Sequence, residues 1–158
     1  MTVLGDVLGP RAAAVAAEPG AGAAGGVGYG CLVALGAVRR PGIDVVLDLT
    51  GFAGHLADAD LVVTGEGSLD AQTLHGKAPA GVAARARAAG VPVVAVAGRC
   101  SLDPAALHRA GFGAAHALTD LDPDPDRCMR EAGPLLQRLA GRIARDHLLT
   151  PTLRGAST

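Results

Sequence analysis

Short apolar runs alternate with longer amphipathic stretches along the chain from residue 60 onward. The apolar runs have the length of strands and lie at Leu61–Thr64, Val91–Ala97 and Ala114–Leu118. The stretches between and after them have helical patterning and predict helices over 78–89, 103–110 and 127–148. Strands that alternate with helices form parallel sheets with right-handed crossovers. The pattern therefore predicts an α/β fold, with three α/β/α layers around a small, mainly parallel, Rossmann-like sheet.

The first 60 residues have a weaker pattern and are rich in alanine and glycine. We predict, in chain order, a loop or short helix over 1–18, a glycine loop over 19–26, a helix over 27–38, a short helix over 43–50 and a connector over 55–60. Pro151–Thr158 has the composition of a loose tail. Because 158 residues is the length of one ordinary domain, we expect a single α/β domain.

A dense run of polar side chains follows the first predicted strand directly. It consists of Glu66, Ser68, Asp70, Gln72, Thr73, His75 and Lys77. We predict that Gly65–Gly67 forms a turn that ends the strand. Open α/β sheets bind their ligands at the carboxyl ends of the strands. The run therefore predicts a ligand site at this edge of the sheet, in which Gly65 and Gly67 would offer backbone N–H groups.

Lys77 is the single lysine among the 14 basic residues of the chain. A compact ammonium group suits a phosphate oxygen in a way that the broader guanidinium of arginine does not. We interpret Lys77 as a candidate for binding phosphate or a substrate carboxylate. The alternative is a polar loop between strand and helix that contains a lysine by chance.

Glu66 and Asp70 form a pair of carboxylates four residues apart. Such a pair can share a Mg²⁺ ion, or one member can act as a base on a hydroxyl group while the other holds the metal. The alternative is helix capping, with Ser68 or Asp70 at the N-cap and Thr73 nearby. Asp70, Gln72 and Thr73 also suit the hydroxyl and carboxylate groups of a small polar substrate, and His75 could act as an acid, a base or a hydrogen-bond donor.

The glycine loop contains Gly20, Gly22, Gly25 and Gly26 and matches the spacing G-x-G-x-x-G. A dinucleotide fingerprint needs a strand before this spacing, and 12–18 makes a poor strand, so the match is weak. A glycine loop that leads into a helix N-terminus can nevertheless bind phosphate through backbone N–H groups. A tight turn with close backbone packing is the alternative.

Composition excludes several other classes of function. The chain has two Phe, one Tyr, no Trp and a net charge of −1, so it lacks the aromatic and basic surface that binds nucleic acid or anionic membranes. No apolar run approaches the roughly 18 residues of a membrane span. The three cysteines include no Cys-x-x-Cys pair, which argues against disulfides and structural zinc. We expect a cytoplasmic protein.

Several of these segments together resemble one known family. The segments are the glycine loop continuing to Gly28, then 40–43, then Ala59–Gly67 and the string T-G-E-G-x-x-D-x-Q-T-x-x-G-K that ends at Lys77, with Pro79 two residues later. In order and spacing they resemble the C-terminal part of the type I glycerate kinases, over about residues 19–148. Residues 5–11 resemble a segment that lies further upstream in that family.

The resemblance implies an enzyme that transfers a phosphoryl group from ATP to glycerate, with ATP and Mg²⁺ as its cofactors. Kinases of this family are more than twice as long as this chain, and their N-terminal half is missing here. The resemblance therefore leaves a second possibility, a non-catalytic domain that binds a small anion or a nucleotide. Three strands are few for an open sheet, so we expect homo-oligomers or a partner chain to cover an exposed edge.

Overall fold

The computed structural model describes residues 9–149 of the chain and divides them into two compact units, 9–41 and 42–149. The predicted single domain stays a prediction. The predicted tail over 151–158 and the segment 5–8 of the family resemblance lie outside the described residues. No helix in the described part is both long and apolar enough to cross a membrane.

The first unit contains two short helices that share a core of Ala12, Val15, Ala21 and Tyr29. Helix α1 spans Pro10–Ala16, a 3-10 turn spans Ala23–Gly26, and helix α2 spans Val27–Ala34. The glycine loop prediction is confirmed. Helix α2 ends four residues before the predicted Val38, because Gly36 adopts a left-handed conformation that a helix cannot continue through.

The second unit contains the predicted alternation. Its elements are α3 (Gly42–Leu49), α4 (Phe52–Leu56), β1 (Val62–Leu69), α5 (Ala78–Ala88), β2 (Val93–Cys100), α6 (Pro104–Arg109), β3 (Ala114–Ala117), α7 (Pro125–Arg130) and α8 (Ala132–Ala144). A π-helical turn over Arg145–Leu149 follows α8. Part of the predicted connector over 55–60 is helical, since α4 extends to Leu56.

The three strands form one parallel sheet in the order β1-β2-β3. Successive side chains of β2 point to opposite faces of the sheet and enter two separate cores. Val93 belongs to the core on the first face, and Val94 belongs to the core on the second face. The first face is covered by α5 and α6, whose Ala83, Ala86 and Leu107 pack on it. The second face is covered by α7 and α8. This confirms the predicted parallel α/β fold with helices on both faces.

Strand β1 is longer than predicted, because pairing with β2 continues to Leu69. The turn predicted at Gly65–Gly67 is therefore wrong, and both glycines lie inside an extended strand. The reason is close packing between the strands. A Cβ at Gly65 would overlap the carbonyl oxygen of Val96, so glycine here permits the approach of β2. Strand β2 likewise extends past the predicted end to Cys100.

The long helix predicted over 127–148 is broken at Glu131, whose backbone leaves the helical region at φ −109° and ψ 26°. Pro134 explains the break. It has no N–H to bond the carbonyl of Arg130, and its ring would clash with that carbonyl in a continuous helix. The chain therefore forms two helices, α7 and α8, with Pro134 in the first turn of the second.

Candidate functional site

The polar run predicted from the sequence lies at the carboxyl end of β1. Glu66 and Ser68 are on the strand itself, Thr73 and His75 are on a following 3-10 turn, and Lys77 directly precedes α5. Glu66 and Ser68 share one face of β1, because they are two residues apart on a strand. The structure thus places the run where the sequence predicts a ligand site, and it brings Glu66, Thr73 and Lys77 into contact.

Thr73 holds Glu66 in place. The Thr73 hydroxyl donates a short hydrogen bond to Oε1 of Glu66, and it accepts one from the backbone N–H of Asp70 at 3.1 Å. Thr73 is the one polar residue that is fully buried among the described residues. A buried hydroxyl that both donates and accepts fixes the orientation of its partners. The Glu66 carboxylate is therefore oriented before any ligand arrives.

Lys77 faces the second oxygen of the same carboxylate. Its Nζ lies 4.0 Å from Oε2 of Glu66, which is an ion pair without a direct hydrogen bond. The Lys77 side chain is 41% exposed, so its ammonium group remains accessible to an anion. Lys77 is also the N-cap residue of α5, an 11-residue helix. The positive end of the helix dipole and the ammonium group therefore lie close together.

Asp70 and His75 have local partners in the turn. Oδ1 of Asp70 accepts a 2.9 Å hydrogen bond from the backbone N–H of Gln72, and Nδ1 of His75 lies 2.7 Å from the carbonyl oxygen of Ala71. The first contact is a local turn of the Asx type, and it is not the predicted N-cap, because Gln72 and Lys77 are the N-cap residues of the 3-10 turn and of α5. Because a carbonyl can only accept, Nδ1 of His75 is the donor, and Nε2 is left as an acceptor in the neutral ring. The catalytic and binding roles of Asp70, Gln72 and His75 stay predictions.

Arg99 is a site residue that the sequence analysis missed. It lies near the end of β2, and its Nε donates a 3.0 Å hydrogen bond to the Ser68 hydroxyl. The two residues are aligned by the register of β1 and β2. Only this register brings Arg99 beside a strand residue 31 positions earlier, so sequence spacing gave no signal. A second cation is thus placed at the same edge of the sheet as Lys77.

An open apolar groove of about 1030 Å³ lies on the second face, beside the carboxyl half of β1. Val63, Gly65 and Gly67 of β1 form part of its floor, and Leu136 and Ala140 of α8 form part of its wall. Cys128 of α7 also lines it. Burial raises the pKa of the Cys128 thiol, with the Asp122 carboxylate adding to the effect, so the thiol stays neutral and the wall stays apolar at pH 7.

The glycine loop belongs to the first unit. Ala24, Gly25 and Gly26 have successive left-handed backbones before the first turn of α2. A Cβ at Gly28 would overlap the carbonyl oxygen of Gly20, so the tight-turn interpretation with close backbone packing has direct support. Phosphate binding by Gly20, Gly22, Gly25 and Gly26 stays a prediction.

The sequence predicts Glu66 and Asp70 as the protein ligands of a magnesium ion. Within residues 9–149, no group of three or more His, Cys, Asp and Glu side chains is placed to hold a metal ion. Mg²⁺ in phosphoryl-transfer sites commonly takes one or two carboxylates and completes its coordination with water and substrate phosphates. One oxygen of Glu66 already accepts from Thr73, and one of Asp70 accepts from Gln72. The second oxygen of Glu66 faces the Lys77 ammonium group at 4.0 Å, so a magnesium ion here would take most of its ligands from water and substrate phosphates.

We expect Thr73→Val to destabilise the protein by about 1–3 kcal/mol, because it leaves the Asp70 amide and the Glu66 carboxylate without their buried partner. Valine has nearly the same shape, so packing changes little. Urea denaturation followed by circular dichroism measures the loss. Thr73→Ser keeps the hydroxyl and should retain most of the stability, and equal losses in the two variants would contradict the hydrogen-bond explanation.

These features define an open parallel α/β protein with a charged cluster at the carboxyl end of its edge strand. The sequence profile of the Glycerate kinase family matches residues 1–148. A glycerate kinase of Halalkalibacterium halodurans is 44% identical over 130 residues, which is 82% of this chain and 34% of that protein. A glycerate kinase of Bacillus subtilis is 40% identical over 134 residues, which is 85% of this chain and 35% of that protein.

An uncharacterized protein of Mycobacterium bovis is 45% identical over 130 residues, again 34% of that protein. The chain belongs to the glycerate kinase family. It spans about a third of the length of the curated relatives that it matches.

Proposed function

We propose that the cluster at the carboxyl end of β1 takes part in the ATP-dependent phosphorylation of glycerate. Membership of the glycerate kinase family supports the reaction. The observation that carries the proposal is the arrangement of Thr73, Glu66 and Lys77, in which a carboxylate held by a hydrogen bond from Thr73 lies 4.0 Å from an accessible ammonium group.

Each residue has a definite role in this proposal. Lys77 binds a phosphate oxygen or the glycerate carboxylate, helped by the N-terminus of α5. Asp70 orients the hydroxyl group of glycerate toward the phosphoryl group. Glu66 and Asp70 hold Mg²⁺, which when bound neutralises charge on the phosphates of ATP. Gln72 and His75 contact the polar groups of the substrate. Phosphoryl transfer depends mostly on positioning of the reactants and stabilisation of charge. A cluster whose carboxylate is already held in place is therefore suited to this reaction.

A coupled assay of ADP release from Mg-ATP and D-glycerate tests the proposal. The purified chain is assayed at high protein concentration, so that any oligomer is populated. We expect turnover that depends on glycerate and that disappears in the double variant Asp70→Ala, Lys77→Ala. Turnover of equal size in the double variant would assign the activity to a contaminant and contradict the proposed roles.

One observation favours a second candidate function. The chain corresponds to only about a third of its relatives. A domain of that size could bind a nucleotide or small anion without turning it over. Binding of Mg-ATP in a calorimetric titration, together with no ADP release at the same protein concentration, would select this second function.

A further inference from the structure

Arg99 is a cation at the carboxyl end of the sheet that the proposed function does not use. It lies one residue before the end of β2, and the strand register aligns it with Ser68 of β1. Its Nε donates to the Ser68 hydroxyl, which orients the guanidinium and leaves both terminal Nη atoms for a ligand. Within the described part of the chain, Arg99 makes no ion pair with a carboxylate.

The surface between Arg99 and the Glu66 carboxylate is open. Both residues line the groove, together with Gly67 and Gly98. Ser68, which holds Arg99, lies two residues beyond Glu66 on β1, or about 7 Å along the strand. A Cβ at Gly67 would meet no heavy atom within 4 Å. Glycine in a strand often marks a place where a ligand approaches the backbone closely. A molecule of a few carbon atoms therefore has room to contact Arg99 and the Glu66 cluster together.

Lys77 and Arg99 suit different anions. Lys77 is a compact charge at the N-terminus of α5, where backbone N–H groups and the helix dipole favour a phosphate. Arg99 presents a planar fork of N–H groups, which matches the two oxygens of a carboxylate. A fork of this kind also binds phosphate, but the helix N-terminus lies at Lys77 and not at Arg99. The division of the two anionic groups between the two cations follows from this difference.

We propose that Arg99, oriented by Ser68, binds the carboxylate of glycerate and selects a hydroxy acid over an uncharged polyol. Lys77 then binds a phosphate oxygen of ATP. This inference rests on the proposed phosphorylation of glycerate, and it decides between the two anions that Lys77 was given there. Arg99 is a specificity-determining residue in this scheme, and Ser68 is a positioning residue that acts through it.

Calorimetric titration of the purified chain with D-glycerate and with methyl D-glycerate tests the assignment. The ester keeps both hydroxyl groups and lacks the negative charge. Because a charge-assisted hydrogen bond corresponds to about a tenfold or larger change in affinity, the unaltered chain should bind glycerate at least about tenfold more tightly than the ester. Arg99→Ala should bind the two compounds equally. Its affinity for Mg-ATP should stay within roughly twofold of that of the unaltered chain.

Three further variants separate the fork, its orientation and net charge. Arg99→Lys keeps the charge without the fork and should bind glycerate with intermediate affinity. Ser68→Ala frees the guanidinium and should weaken glycerate binding less than Arg99→Ala does, whereas Ser68→Thr keeps the hydroxyl and should bind normally. Arg138→Ala removes an exposed arginine of α8 and should change neither affinity. Circular dichroism checks that each variant is folded.

The possible failures of this inference and of the proposed function are distinguishable. An unchanged preference for glycerate over its ester in Arg99→Ala would overturn the role of Arg99 and leave the proposed phosphorylation standing. Loss of that preference in Lys77→Ala, and not in Arg99→Ala, would assign the carboxylate to Lys77. No binding of D-glycerate by the unaltered chain would overturn the inference and the proposed function together.

Discussion

Replacing Gly65 with alanine should cost at least about 3 kcal/mol of folding stability, which is at the high end for a single added methyl group. The added Cβ would overlap the carbonyl oxygen of Val96 in the neighbouring strand. Both atoms belong to backbones that are fixed by the ladder between β1 and β2, so neither can move without breaking pairing. The expected fall in melting temperature is roughly 6–12 °C for a domain of this size.

Gly67 provides a matched control on the same strand. It lies two residues further along β1, and a Cβ there would meet no heavy atom within 4 Å. Gly67→Ala should therefore change the free energy of unfolding by less than about 0.5 kcal/mol, as surface substitutions usually do. Thermal and urea denaturation of both variants measures the difference. Similar stabilities for the two variants would show that Gly65 is not required for close strand packing.

Substituting Lys77 with alanine should lower the affinity for Mg-ATP or for glycerate by at least about tenfold, with the fold intact. A charge-assisted hydrogen bond to an anion contributes about 1.5–3 kcal/mol, and every 1.4 kcal/mol is a tenfold change in affinity. The Lys77 side chain is 41% exposed and its Nζ lies 4.0 Å from the Glu66 carboxylate, so its loss should barely affect stability. Calorimetric titration measures the affinity, and circular dichroism checks the fold.

Two variants separate charge from geometry at Lys77. Lys77→Arg keeps the charge but spreads it over a larger, planar group, so we expect an intermediate affinity. Arg138→Ala removes one positive charge from the exposed surface of α8 and should leave affinity unchanged. If Arg138→Ala weakened binding as much as Lys77→Ala, the effect would be one of net charge, and Lys77 would have no place in the site.

The sequence was sufficient to predict the order of strands and helices along the chain, because few other folds are compatible with alternating apolar runs and amphipathic stretches. It was less informative about where strands end. Gly65 and Gly67 were interpreted as a turn, since glycine is a common turn residue. In the structure both lie within β1, and Gly65 permits close strand approach, a function that depends on Val96, 31 residues away. The single helix predicted over 127–148 was also wrong, although Pro134 is a signal in the sequence for the break before α8.

The members of the candidate site could also be predicted in part. Their position at or after the end of the first predicted strand was enough to place Glu66, Ser68 and Lys77 at the carboxyl end of β1. The contact between Thr73 and Glu66 was not predictable, because it depends on how the 3-10 turn folds back onto β1. The pairing of Arg99 with Ser68 depends on strand register, and the groove depends on which part of the sheet α8 leaves uncovered. These features are tertiary and leave no local pattern.

An NMR titration tests most directly whether the carboxyl end of β1 is the ligand site. Amide chemical shifts of the 15.6 kDa chain are recorded while Mg-ATP and D-glycerate are added in turn. We predict that the largest changes fall on residues 65–77 and the first turn of α5, and that they vanish in Lys77→Ala. Saturable changes confined to other parts of the chain, with 65–77 unaffected, would contradict the assignment of the site.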